Sequence, residues 1–163
     1  MDKFLNTRAR VATAALVLAL LICFFLLPPI QRPEQQGYPD SKSYFAIANG
    51  DAQAAYYYYA GRVLHPLTAR LVAHLFGLSL PDGFRTVACL SLILLYVIVA
   101  AEVGDPALLG LLTLAIVVRA FRTYYLPDLF YASLLAIFFS CFRRNMWLAL
   151  PVLFLLHLSR EST

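Results

Sequence analysis

Residues 11–27 read VATAALVLALLICFFLL, an uninterrupted apolar run that follows a basic segment with Lys3, Arg8 and Arg10 and stops at Pro28-Pro29. The run is long for the apolar region of a secretory leader, and no A-x-A cleavage site follows it. It predicts an uncleaved signal anchor with its N-terminus in the cytoplasm, as the positive-inside rule asks. The rest of the chain has the same character. Of 163 residues, 61% are hydrophobic and only 13% charged, with a mean hydropathy of +0.73. A soluble domain is about half apolar and about a quarter charged, and a chain this short has too small a core to hide the excess. Lipid is the solvent this composition predicts.

Working outward from the first run, residues 28–83 are predicted as a long outer loop, polar from Ile30 to Gly61 and holding short helices. Ser41 to Asn49 places Tyr44, Phe45, Ile47 and Ala48 on one helical face, with Asp40 at the N-cap position. Tyr56 to Tyr59 suits the headgroup level. Pro66 to Gly77 is apolar but interrupted by Arg70 and His74. It is too short to cross a core of about 30 Å, and is predicted to lie along the membrane surface as a juxtamembrane helix. Four more apolar runs follow near 84–101, 106–118, 129–142 and 146–158, the middle two needing tilt or flanking aromatics to span. The expected fold is therefore all-α: one membrane domain over residues 1–163, a polytopic transmembrane helix bundle of about five spans. With the N-terminus inside, Arg143-Arg144 falls in the cytoplasm. Residues 119–128 then form a second outer connection, whose Arg119 and Arg122 break the positive-inside pattern.

Several chemistries are excluded. The basic residues are scattered among apolar runs, so nucleic acid is not an expected partner. Cys23, Cys89 and Cys141 lie in apolar runs without CxxC spacing and make no metal or disulfide framework. GxSxG, HExxH, Walker A and GxGxxG are absent. No charge sits mid-span as a proton relay needs. What remains is on the outer side. Asp40 and Asp128 are candidate general bases, each also readable as a helix cap. Asp105-Pro106 reads as an ordinary cap. Arg62, His65, Arg70, His74, Arg119 and Arg122 supply positive charge. Arginine there suits bidentate phosphate recognition, against the plainer reading of snorkelling to headgroups.

The order of these features resembles the N-terminal part of the GT-C superfamily of membrane glycosyltransferases, in the protein mannosyltransferase and aminoarabinose transferase group. An outward aspartate, Asp40, follows the first span. A Tyr-x-x-x-Ala helix, Tyr44 to Ala48, comes next, then His65-Pro66-Leu67 opening a helix that ends Leu75-Phe76-Gly77-Leu78-Ser79, then Arg85 at the next span. The family's K-P-P-L motif is represented by Arg62-Val-Leu-His-Pro-Leu67, without the lysine and first proline. Tyr-Leu-Pro-Asp128 fits the acidic residue of the family's second outer loop.

The resemblance implies transfer of a sugar from a polyprenyl-phosphate donor to an acceptor on the outer face of the cell's inner (cytoplasmic) membrane. Asp40 and Asp128 would be catalytic, and Tyr44, Arg62, His65, Arg119 and Arg122 substrate-binding. Some relatives use a divalent cation and others none; two strong acids do not by themselves assign a metal. Membrane lipids and a partner membrane subunit complete the expected surroundings. Family members are longer than this chain, which keeps a second reading open: an inactive or truncated scaffold subunit. A transporter of lipid-linked intermediates comes third, since polar residues within spans are scarce.

Overall fold

The computed structural model describes residues 2–36, 38–51, 53, 62–104 and 115–159, and their regular structure is entirely helical. α1 (Asp2–Phe25) is followed by a 3-10 turn (Pro33–Gln36) and α2 (Pro39–Asn49). Then come α3 (Leu64–Phe76), α4 (Leu80–Val103), α5 (Ala115–Arg122), α6 (Asp128–Arg144) and α7 (Met146–Ser159). Tyr56 to Tyr59, Asp105-Pro106 and most of the run at 106–118 lie outside the described residues.

α4 is the axis, packing against α1, α3 and α6. Against α1 the seam is made from one stripe: Val11, Ala15, Ala19 and Ile22 are buried, at the three- and four-residue spacing of a single helical face. The two helices run antiparallel, because Arg8 lies beside Gly104 at one end and Cys23 Sγ faces the Cys89 carbonyl at 3.9 Å towards the other. α6 runs parallel to α4: Phe84 shares the ring cluster of Phe130 near both N-terminal ends, and Glu102 meets Ser140 and Arg143 near both C-terminal ends. α5, which precedes α6, reaches Tyr38 through Arg119. α7 packs back along α6.

α3 and α4 form a tight helical hairpin. α3 ends at Gly77, whose φ of 62° is left-handed, and the Leu78 N–H donates to the Ala73 carbonyl at 2.8 Å; glycine takes this conformation without a Cβ penalty. Two residues later Ser79 caps α4: its Oγ accepts from the Asp82 N–H at 3.3 Å and donates to the Asp82 carboxylate at 2.6 Å. This cap starts the helix at Leu80, so the stretch expected as an outer loop is shorter than 28–83. The hairpin closes on small residues. A Cβ at Gly83 would fall on the Ala69 carbonyl oxygen and 2.8 Å from the Ala73 Cβ, so only glycine admits this backbone approach.

Two further expectations are corrected. Asp40 is not the N-cap of α2; Tyr38 is, with Pro39 in the first turn and Asp40 just inside. Proline is favoured at the first helical position because its missing N–H has no partner to lose there, and this moves the start one step earlier. Arg119 and Arg122 belong to a helix that continues through Arg122, not to an open connection.

Among the described residues, two helices are long and apolar enough to cross a membrane: Thr7–Phe25 of α1, and α4. α7 is apolar but shorter. Along α1 the face away from α4 exposes Leu16, Val17, Leu20, Leu21, Phe24 and Phe25, and α6 and α7 expose Phe139, Phe142, Trp147, Leu150 and Phe154. Trp147 is 71% and Phe24 79% exposed. Water-soluble monomers rarely expose contiguous apolar surface on this scale.

Candidate functional site

Where α2, α3 and α5 meet the N-terminal ends of α4 and α6, aromatic rings replace the aliphatic packing of the bundle. Phe84 sits at the centre, fully buried. Its ring centroid is 4.9 Å from Tyr125, 5.3 Å from His65 and 6.4 Å from Phe45, and His65 is 5.4 Å from Phe130 and 6.3 Å from Tyr44. Most of these contacts are edge-to-face or tilted, the geometry the ring quadrupole prefers. Residues from α2, α3, α4, α6 and the turn before α6 are thereby locked into one unit.

Tyr44 stands on this floor, buried on the α2 face that also buries Ser41 and Ala48. Its hydroxyl accepts a hydrogen bond from Arg62 Nη1 at 3.4 Å. Burial raises the hydroxyl above its ordinary pKa, Arg62 opposes that rise, and the charges of Asp40 and Asp128 add to it. Two carboxylates 88 positions apart in sequence (128 minus 40) therefore act on one hydroxyl. They reach it from different elements: Asp40 from the first turn of α2, Asp128 from the first residue of α6. Four of the seven residues singled out from the sequence, Asp40, Tyr44, Arg62 and Asp128, converge here.

The other three take different places: His65 lies under Tyr44 in the ring floor, and Arg119 and Arg122 lie on α5. His65 is enclosed by Tyr44, Phe84 and Phe130, and burial pushes its pKa down to about 3. A neutral imidazole cannot supply the positive charge expected of it, because the apolar cage disfavours the charged form. Its Nδ1 has no hydrogen-bond partner among the described residues. Arg119 is exposed and donates to the Tyr38 hydroxyl at 2.7 Å, two residues before Asp40. Arg122, one turn further along α5, lines a cavity of about 490 Å³ with Phe25, Leu27, Gln31 and Gln35.

Tyr124 and Tyr125 carried no functional expectation, yet they hold the chain that leaves α1. The Gln31 N–H donates to the Tyr124 hydroxyl at 2.9 Å, and the Tyr125 hydroxyl donates to the Gln31 carbonyl at 2.8 Å. Both rings are buried, so these bonds form in a low-dielectric setting where leaving them unmade is costly. Adjacent tyrosines before a Pro-Asp turn were the available signal, but their partner is a backbone position 93 residues away. Among the described residues no three His, Cys, Asp or Glu side chains are arranged to hold a metal ion. No protein-family model, curated protein or solved structure matches this chain.

Proposed function

We propose that this chain is a multi-pass protein of the cell's inner membrane, of GT-C type, whose Tyr44 end lies at the outer face and transfers a sugar from a polyprenyl phosphate to a hydroxyl acceptor. The observation that carries this reading is the hydrogen bond from Arg62 to the Tyr44 hydroxyl, with Asp40 and Asp128 near enough for their charge to be felt there. The Tyr44 hydroxyl lies at the end of the bundle opposite Arg8, Arg143 and Arg144, which this reading takes as the cytoplasmic end; Arg62, Arg119 and Arg122 then depart from the positive-inside pattern because they serve the donor phosphate.

In this reading the acceptor O–H gives its proton to Asp40 as the acceptor oxygen attacks the anomeric carbon. The bond from that carbon to the phosphate oxygen breaks, and polyprenyl phosphate leaves with the electron pair. Fixed guanidinium charge stabilises the developing phosphate charge: Arg62 at the site, and Arg119 and Arg122 along α5. Asp128 orients the acceptor, and Tyr44 holds Arg62 in place. The exposed apolar faces of α1, α6 and α7 contact lipid.

Two measurements test this. Trp147 is the sole tryptophan and is exposed on α7, so brominated lipids should quench its fluorescence in reconstituted vesicles. Quenching no greater than with a water-soluble quencher would sink the membrane reading. In vesicles where quenching is seen, radiolabelled sugar should move from polyprenyl-phosphate donors in an Asp40-dependent way. Transfer indifferent to Asp40→Asn and Asp128→Asn, or none from any donor, would overturn the transferase reading alone.

A further inference from the structure

At the far end of the bundle, 18 positions along α4 from Phe84, Glu102 gathers three partners from α6. The Ser140 hydroxyl donates to Glu102 Oε1 at 2.6 Å, Arg143 Nη1 pairs with Oε2 at 3.1 Å, and Arg144 Nη2 pairs with Oε1 at 3.4 Å. One carboxylate against two guanidiniums leaves one positive charge. Both arginines are mostly exposed, with side-chain exposures of 63% and 73%, while Glu102 is the more enclosed at 20%. The carboxylate thus anchors the guanidinium groups and leaves their remaining N–H donors facing outward; each guanidinium carries five. Arg8 of α1 packs beside Gly104, two residues beyond Glu102, and adds a further charge at the same end.

Directly beneath this cluster is a cavity of about 180 Å³ between α4 and α6. Ile98, Val99, Val103, Ala136 and Phe139 line it, with Glu102, Ser140 and Arg143 at its mouth. Its walls are almost wholly apolar below the rim. A narrow apolar slot opening under a ring of cationic donors has the two-part chemistry of a phospholipid: acyl carbons below, phosphate above. Basic pockets between membrane helices on the cytoplasmic side recognise anionic headgroups for this reason, and arginine binds phosphate oxygens bidentately.

We propose that this slot is a binding site for an anionic phospholipid. The first acyl carbons lie on Val99, Ala136 and Phe139, and the phosphate bridges Arg143 and Arg144. The site rests on the membrane part of the reading above and is independent of the transferase part. Charge complementarity selects the occupant. A zwitterionic lipid brings its own cation to a cluster that already has an excess of positive charge. A free anion leaves the apolar slot unfilled.

The test is native mass spectrometry of the intact chain released from detergent, titrated with phosphatidylglycerol or phosphatidylcholine of the same acyl composition. The preference for phosphatidylglycerol should be at least threefold, and the double variant R143Q/R144Q should remove it. Glu102→Gln keeps the Ser140 partner but deletes the countercharge, so it should increase the preference; this opposite sign keeps the proposal testable where a loss variant folds poorly. Equal retention of both lipids, a preference that survives R143Q/R144Q, or a preference that weakens in Glu102→Gln would each overturn the site. The Trp147 quenching experiment, run on the same preparation, separates this failure from failure of the chain to enter lipid.

Discussion

The two ends of the helix bundle hold polar groups by opposite means. At the Tyr44 end, Tyr44, Tyr124 and Tyr125 are buried and hydrogen-bonded to other segments of the chain, and His65 is buried among rings. At the Glu102 end, Arg143 and Arg144 stand in the open and pair across a carboxylate near the surface. Buried polar contacts are unscreened and expensive to leave unmade. Exposed ion pairs gain little over their hydrated components. One end is therefore a rigid scaffold, and the other is a set of charges available to a partner.

The largest expected effect tests whether the rigid end depends on the α3–α4 approach. Gly83→Val puts a branched side chain against the Ala69 carbonyl, and overpacking that cannot relax costs up to about 3 kcal/mol. Thermal unfolding in detergent should show a large fall in midpoint, whereas an unchanged midpoint would mean that α3 is not held there. Next comes acid. His65 has a folded pKa of about 3 against an ordinary 6.5, so above pH 6.5 it is neutral in both states. As pH falls below 6.5 the unfolded chain takes the proton first, and stability drops by about 1.4 kcal/mol per pH unit until about pH 3. His65→Phe should flatten that dependence while retaining the ring cage; a slope identical to the parent's would assign the acid sensitivity elsewhere.

Tyr125→Phe sharpens the same comparison on a smaller scale. It keeps the ring beside Phe84 but leaves the Gln31 carbonyl without its 2.8 Å donor, at a cost of about 1 kcal/mol. Arg144→Gln should be the mildest, below about 0.5 kcal/mol in stability, even though it lowers the anionic lipid preference. A destabilisation as large as that of Tyr125→Phe would erase the distinction between the two ends.

Much of the helical layout was legible because apolar runs declare themselves. The stretch at 11–27 became the lipid-length part of α1, and the interrupted stretch at 66–77 became the separate short helix α3. Boundaries moved where local chemistry acts over three or four residues: Pro39 took α2 back to a Tyr38 cap, and Ser79 with Asp82 started α4 ahead of Phe84. The site was half legible. Asp40, Arg62 and Asp128 stood out as charges in a chain poor in them, and they do share Tyr44. His65 looked like another cation, and only its three ring neighbours make it a neutral part of the floor.

By itself, then, the order of residues determined that this protein is built of apolar helices, and which few polar residues are left to act. Hydrophobic transfer and helix propensity depend on near neighbours along the chain, so composition and spacing reveal them. Tertiary structure alone decided that α4 is the axis, that Gly83 admits α3, and that Tyr124 and Tyr125 grip Gln31. It also decided which arginines stand free of the aromatic floor. Burial and pairing across scores of residues depend on where the chain returns, and no local pattern encodes that.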